Sequence, residues 1–292
     1  MKSCVRFLCS VAFLVALFFA SFTNLAAQQR QVKVSQGERG FADSFAAPKK
    51  EPFKVGETLT YEAKYSRLLL RGIDVADLTF TVADDEKDSP NELQFKAEAV
   101  SKGSLLKLVS YSFLQKFDST VQTDNFRILQ TVRYDEQDKR VRNSEANFDY
   151  LASKLTYREI DPNNLMSPPR MITSPLETSA QDLISALYYL RRQPLTVGKE
   201  FMVRLSDSGV VYDIPVKVVA RELQKSVLGK MWTLRIEPQI FGEKRPLAGE
   251  GKMIMWVTDD IRHIPVRSQI QANIGKIEIK LRRAENLQSL KQ

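Results

Sequence analysis

Hydrophobic and polar residues alternate with period two in segment after segment of this chain. Leu59, Tyr61, Ala63 and Tyr65 share one face, opposite Thr58, Thr60, Glu62 and Lys64. Ala76, Leu78, Phe80 and Val82 repeat the pattern against Asp77, Thr79 and Thr81, and Leu93, Phe95, Ala97 and Ala99 against Gln94, Lys96 and Glu98. Ile214, Val216 and Val218 form a later row, and Trp232, Leu234 and Ile236 another. This is the signature of half-buried antiparallel strands. Turn-forming runs separate them: Asp84 to Asn91, Asp135 to Asp138, Asp161 to Asn164 and Ser206 to Gly209.

The final rows contain an irregularity. Ile270, Ala272 and Ile274 share one face, but the next apolar set is Ile277, Ile279 and Leu281. Read as one long strand, this shift predicts a β-bulge or sharp bend at Gly275.

Helical periodicity stands out once, from Ser179 to Arg192. Leu183, Ile184, Leu187, Tyr188 and Leu190 fall near one helical face. Ser179 is the expected cap, Asp182 suits the first turn, Arg191 and Arg192 the last, and Pro194 stops continuation. Leu105 to Val109 suggest a further short helical turn. The fold expected is mainly β: a curved antiparallel sheet forming a barrel or sandwich, with one central helix at about 179–192 packed against it.

The chain ends read differently. Met1 to Arg6 is short and basic, Phe7 to Leu25 is almost unbroken apolar sequence, and Leu25-Ala26-Ala27 precedes Gln28. This is the layout of a secretory signal peptide cleaved after Ala27. The lack of charge from Phe7 to Gln29 is also compatible with a retained membrane anchor. Residues 28–52 read as a flexible linker, 53–284 as a single β-rich domain and 285–292 as a polar tail.

Composition removes several chemistries. Cys4 and Cys9 both lie in the segment expected to be cleaved, so a mature chain has no disulfide, thiol nucleophile or thiolate metal site. Neither follows the small-residue run of a lipoprotein signal, so no lipidation is expected. His263 is the single histidine, which removes His-His metal sites, and no Gly-x-Ser-x-Gly elbow accompanies it. No glycine-rich phosphate loop is present, and neither a cofactor nor a metal is expected. The net charge of +8, including Lys2 and Arg6 of the leader, is scattered rather than blocked. Nucleic acid is therefore not an expected partner.

Two clusters are candidate binding sites. In the helix, Tyr188, Tyr189 and Arg191 would form a polar-aromatic rim for an anionic ligand. The more economical alternative packs the tyrosines in the core and uses Arg191 as a brace to the sheet. The second cluster is Trp256, Asp259 and Arg262, beside Asp260 and His263. A strand–turn–strand with side-chain bonds to the turn backbone explains it more simply than catalysis does. Both tryptophans are expected in the core, and Leu59, Tyr61, Leu78, Phe80 and Trp256 are candidates for an inward, ligand-facing set.

Three motifs resemble those of one exported bacterial family, domain of unknown function 3108. They are Gly56 to Tyr61 followed by Gly72 to Phe80; Asp182 to Arg191; and Met255 to Asp260 continuing through Ile264-Pro265-Val266 to Gly275 and Leu281. The resemblance spans residues 53–283 and implies a cell-envelope, mostly antiparallel β protein of a diderm bacterium; it implies no activity.

The expected protein is periplasmic, without an integral membrane segment after cleavage, and non-enzymatic. It would bind a lipid, a glycolipid or another amphiphile, or an envelope protein partner. Two alternatives remain: an assembly factor acting through strand edges or the linker, and a carboxylate-dependent hydrolase of envelope polymers.

Overall fold

A computed structural model describes residues 50–84, 91–104, 106 and 111–290. The proposed signal segment, nearly all of the linker, most of the Asp84–Asn91 turn and most of the 105–109 helical turn lie outside these residues.

The alternating segments form β1 (Thr58–Arg67), β2 (Leu70–Asp84), β3 (Glu92–Ser101), β4 (Phe113–Gln122), β5 (Ile128–Gln137), β6 (Arg140–Asp149), β7 (Lys154–Ile160) and β8 (Arg170–Pro175). After helix α1 (Leu183–Arg191) come β9 (Glu200–Asp207), β10 (Val210–Ser226), β11 (Gly229–Pro238), β12 (Gly251–Thr258), β13 (Pro265–Ala272) and β14 (Gly275–Glu285). All join one antiparallel sheet in the order β8-β7-β6-β5-β4-β3-β2-β1-β14-β13-β12-β11-β10-β9. The first and last strands therefore meet at the middle of the sheet, where β1 pairs with β14.

The two edges, β8 and β9, do not pair, so the sheet is barrel-like but unclosed. They nevertheless approach. Ser174 of β8 donates its hydroxyl to the Gly209 carbonyl at 2.6 Å. A Cβ on Gly209, which has φ +81°, would come within 2.7 Å of Tyr157. Only glycine permits both that conformation and that approach.

The predicted strand through Gly275 is two strands. Ala272 pairs with Gly275 across a tight hairpin whose turn residues are Asn273 and Ile274. Gly275 has φ +141°, and the Tyr65 ring lies where its Cβ would be. The phase shift in the apolar pattern thus marks a chain reversal rather than a bulge, because a two-residue turn restarts the alternation.

The helix is shorter than predicted and its cap differs. Asp182, not Ser179, caps α1, accepting from the Ile184 and Ser185 amides while the Ser185 hydroxyl accepts from the Asp182 amide. Residues before it are held by the sheet. Gln181 donates its amide to the Arg204 carbonyl at 2.9 Å and accepts from the Ser206 amide at 2.7 Å, forming a bridge to β9.

The domain boundaries tighten as well. Glu51 pairs with Arg192 and Phe53 is buried, so the folded body includes the end of the proposed linker. The tail also packs: Gln288 donates to the Glu51 carbonyl and Lys50 to the Ser289 carbonyl.

Candidate functional site

Helix α1 is clamped at both ends and along one face. At its N-terminal end, Asp182 also accepts hydrogen bonds from the Ser119 hydroxyl of β4 and, at 2.6 Å, the Thr131 hydroxyl of β5. Its carboxylate therefore has four donors, so this buried charge is satisfied.

At the other end the Arg191 guanidinium is fully buried against Glu57, with Nη1 to Oε1 at 2.5 Å and Nη2 to Oε2 at 3.0 Å. Nη2 also donates to the Pro52 carbonyl and Nε to the Arg262 carbonyl. The Phe53 and Tyr188 rings flank it at 5.5 and 5.3 Å. Burial alone would depress the Arg191 pKa, but the Glu57 carboxylate outweighs it and raises the value. The Arg191 carbonyl in turn meets His263 Nδ1 at 2.7 Å. A carbonyl only accepts, so Nδ1 carries the proton. Burial pushes the His263 pKa down.

The clamped face is aromatic. Tyr188 stacks on Phe95 at 4.0 Å, and Phe53 meets both rings edge-on.

The opposite face of α1 is not filled. Leu183, Ile184, Ala186, Leu187 and Leu190 line an apolar void of about 140 Å³. Val203 and Leu205 of β9, Ile214 and Val216 of β10, and Met253 and Met255 of β12 form its other walls. The β11–β12 connection closes over it with Ile240, Pro246 and Leu247, and Asp207 is the one charged residue on the lining. An apolar space of about 150 Å³ accepts a benzene-sized apolar group. On the other side of Leu183 the interior is mixed and nearly filled: Arg133, Thr131, Ser144 and Asp182, together with Phe117, Phe148 and Tyr157, surround about 30 Å³. That is the scale of a water molecule. Among the described residues, no group of three His, Cys, Asp or Glu side chains has metal-binding geometry.

The structure separates the residues proposed from sequence. Tyr188, Arg191 and Arg262 meet at the base of the helix, where Arg191 acts as the brace. Its guanidinium is enclosed by protein partners and is not presented to the void. Tyr189 is half-buried, with its ring 6.2 Å from Phe126.

Trp256 is buried on the outer face of the sheet, not in the inward set. Its neighbour Met255 points into the void, and adjacent strand residues face opposite ways. Trp256 donates to Glu222 at 2.7 Å, and Arg267 covers its ring. Trp232, expected in the core, is 47% exposed beneath Arg221. Asp259 binds Arg221, whereas Asp260 makes the predicted turn bonds, accepting from the Arg262 amide and guanidinium. Of the proposed inward residues, Phe80 alone reaches the void. The strongest signals for that lining were the apolar helical face and the Ile214-Val216 row. Which of the rows lay opposite the helix was not legible.

Fold and site together define a helix-plugged, barrel-like β protein with a partly open apolar pocket beside the helix. The chain belongs to the family described as protein of unknown function (DUF3108), whose model matches residues 60–282. No curated protein matches it.

Among solved structures, it resembles a beta-barrel-like protein of domain of unknown function DUF1849 from Brucella abortus. The TM-score is 0.54 at 11% identity, over 80% of this chain and 98% of that one. A protein from Bacteroides fragilis, described as exported and as having a YmcC-like fold, aligns with TM-score 0.35 and 12% identity, over 82% of this chain and 100% of that one. A protein from Parabacteroides distasonis described as a lipoprotein gives 0.30 and 11%, over 83% and 100%. The first supports the barrel-like architecture; scores as low as the other two carry no argument.

Proposed function

We propose that this chain is a non-enzymatic, periplasmic and unlipidated envelope protein that holds the apolar part of a lipid, glycolipid or similar amphiphile between α1 and strands β9, β10 and β12. The observation that carries the reading is the void itself. A clamped helix presents five apolar side chains to a wall of aliphatic residues, with a gap left between them. A well-packed core leaves few voids larger than a water molecule. The volume suits a terminal stretch of an acyl chain rather than a whole lipid, so the head group would remain outside.

The lining argues against hydrolysis in the void. Glycoside cleavage through carboxylates needs two of them flanking the bond, and the wall has Asp207 alone. Asp182 and Asp207 both border the smaller interior space, but that space admits no sugar, and the Asp182 oxygens are occupied by four donors.

The test is native mass spectrometry of mature protein purified gently from its own periplasm, followed by extraction of the same sample for lipid. A stoichiometric adduct that reappears as a lipid or glycolipid supports the carrier reading. A bare polypeptide that also fails to take up added envelope lipids overturns it.

A further inference from the structure

Every strand in the sheet runs antiparallel to its neighbours, so the connections following odd-numbered strands all lie at one end. The opposite end holds the C-terminal end of α1, where Arg191 meets Glu57, and the contact of Lys50 with Ser289. The hairpin end carries two apolar tips. The β1–β2 tip reads Arg67-Leu68-Leu69-Leu70-Arg71, with Leu68 83% and Leu69 98% exposed. The β7–β8 connection exposes Leu165 and Met166 by 78% and 95% and runs into Arg170 at the start of β8.

Leu68 adds a conformational argument. It sits at φ +50°, in the left-handed region, at a two-residue turn between paired Arg67 and Leu70. Asn, Asp or Gly suits such a position, and a bulky side chain there is strained. Neither turn chemistry nor burial accounts for a leucine here. A basic flank adds to the pattern: from Ser66 to Ile73 the tip has two arginines and no acidic residue. Exposed leucines between arginines match the two layers of an anionic bilayer surface, head groups for the cations and the acyl boundary for the side chains.

We propose that these two tips form a membrane-docking rim that seats the hairpin end on an anionic lipid surface. Leu68, Leu69, Leu165 and Met166 enter the interfacial layer, and Arg67, Arg71 and Arg170 lie among the head groups. The β11–β12 connection that closes the void is at this same end. Docking therefore faces that connection toward the lipid, but it does not depend on the void holding anything.

The experiment is co-sedimentation of the full mature chain with vesicles of phosphatidylglycerol and phosphatidylethanolamine, and with vesicles of phosphatidylcholine alone. Expected is binding to the anionic vesicles that weakens with added salt. Leu68→Asp/Leu69→Asp should lower partitioning by about tenfold or more. Leu165→Asp/Met166→Asp should lower it several-fold. Leu151→Asp, on a fully exposed leucine at the opposite end, should bind as wild type. All five substituted side chains are exposed, so circular dichroism and Tm should hold.

The proposal is overturned if wild type does not sediment with anionic vesicles, or if Leu151→Asp loses as much as the tip variants. It is also overturned if the tip variants change self-association in sedimentation velocity while vesicle binding stays intact. Ala186→Phe, which fills the void, should leave vesicle binding unchanged, so docking and ligand binding can fail separately.

Discussion

The two faces of α1 have the same apolar character in sequence and opposite fates in the fold. One face is fully packed: Tyr188 lies flat on Phe95, with Phe53 edge-on to both. The other presents Leu183, Ala186, Leu187 and Leu190 to a gap of about 140 Å³. A free helix would settle into that gap, because unfilled apolar volume costs about 24 cal/mol per Å³. It is held off by polar clamps, Asp182 to β4 and β5 at one end and Arg191 to Glu57 at the other. Clamps at both ends and aromatic packing along one face together fix the helix beside the gap.

The largest expected effect comes from breaking the basal clamp. Arg191→Met leaves Glu57 buried without its partner and should cost about 3–5 kcal/mol in chemical denaturation. The double variant Arg191→Met/Glu57→Leu should recover most of that stability, since removing both charges also removes the unpaired one. It should not recover the position of the helix, nor the void.

Asp182→Ala comes next. It removes the cap and orphans the Ser119 and Thr131 hydroxyls, so about 2 kcal/mol or more should be lost. A stability equal to wild type would show that the upper clamp is dispensable.

The packed and unpacked faces should respond oppositely to added volume. Ala186→Phe places a ring in the void and should raise stability by about 0.5–2 kcal/mol, as cavity filling commonly does. A loss of stability would mean that the gap does not admit the ring.

A pH effect follows from His263. Its pKa is lowered from 6.5 in the folded state, chiefly by burial. Between the folded value and 6.5 the unfolded chain binds more protons, so stability rises with pH there. The His263 contribution is complete above about 6.5 and is lost as pH falls through the lowered folded value. His263→Asn, which retains a donor toward the Arg191 carbonyl and suits φ +42° at this position, should flatten the pH dependence of Tm between about pH 7 and pH 5. An unchanged slope would assign the dependence to other groups.

The smallest effect belongs to Tyr188→Phe. The Tyr188 hydroxyl is buried with no hydrogen-bond partner among the described residues. Its removal should change stability by no more than about 0.5 kcal/mol, because the stacked ring and not the oxygen holds this face. A large loss would reveal a buried partner for that hydroxyl.

Much of the architecture was legible from alternation. Leu59, Tyr61, Ala63 and Tyr65 are buried as their period predicts, and the apolar stripe of α1 lies inward. What was missed has common physical causes. Trp256 followed a strand pattern, but its β12 neighbours Met255 and Val257 occupy the inner face, and a bulge between Trp256 and Val257 blurs the phase. The β13–β14 hairpin looked like one strand because a two-residue turn shifts the apolar phase just as a bulge does. The cap moved to Asp182 because Ala180 and Gln181 are committed to burial beside β9, a tertiary demand that local propensity does not report. Glu57 was invisible as the partner of Arg191, 134 residues away. The void was hidden for a deeper reason: alternation says which side chains point inward, not whether the opposite wall reaches them.

Isothermal titration calorimetry of the mature chain with a lysophospholipid, wild type beside Ala186→Phe, asks whether the gap beside α1 holds an acyl chain. Wild type should bind one-to-one with a negative heat-capacity change, and a variant that is folded and at least as stable should lose that binding. Absence of binding to wild type, or equal binding to both proteins, would contradict the carrier reading.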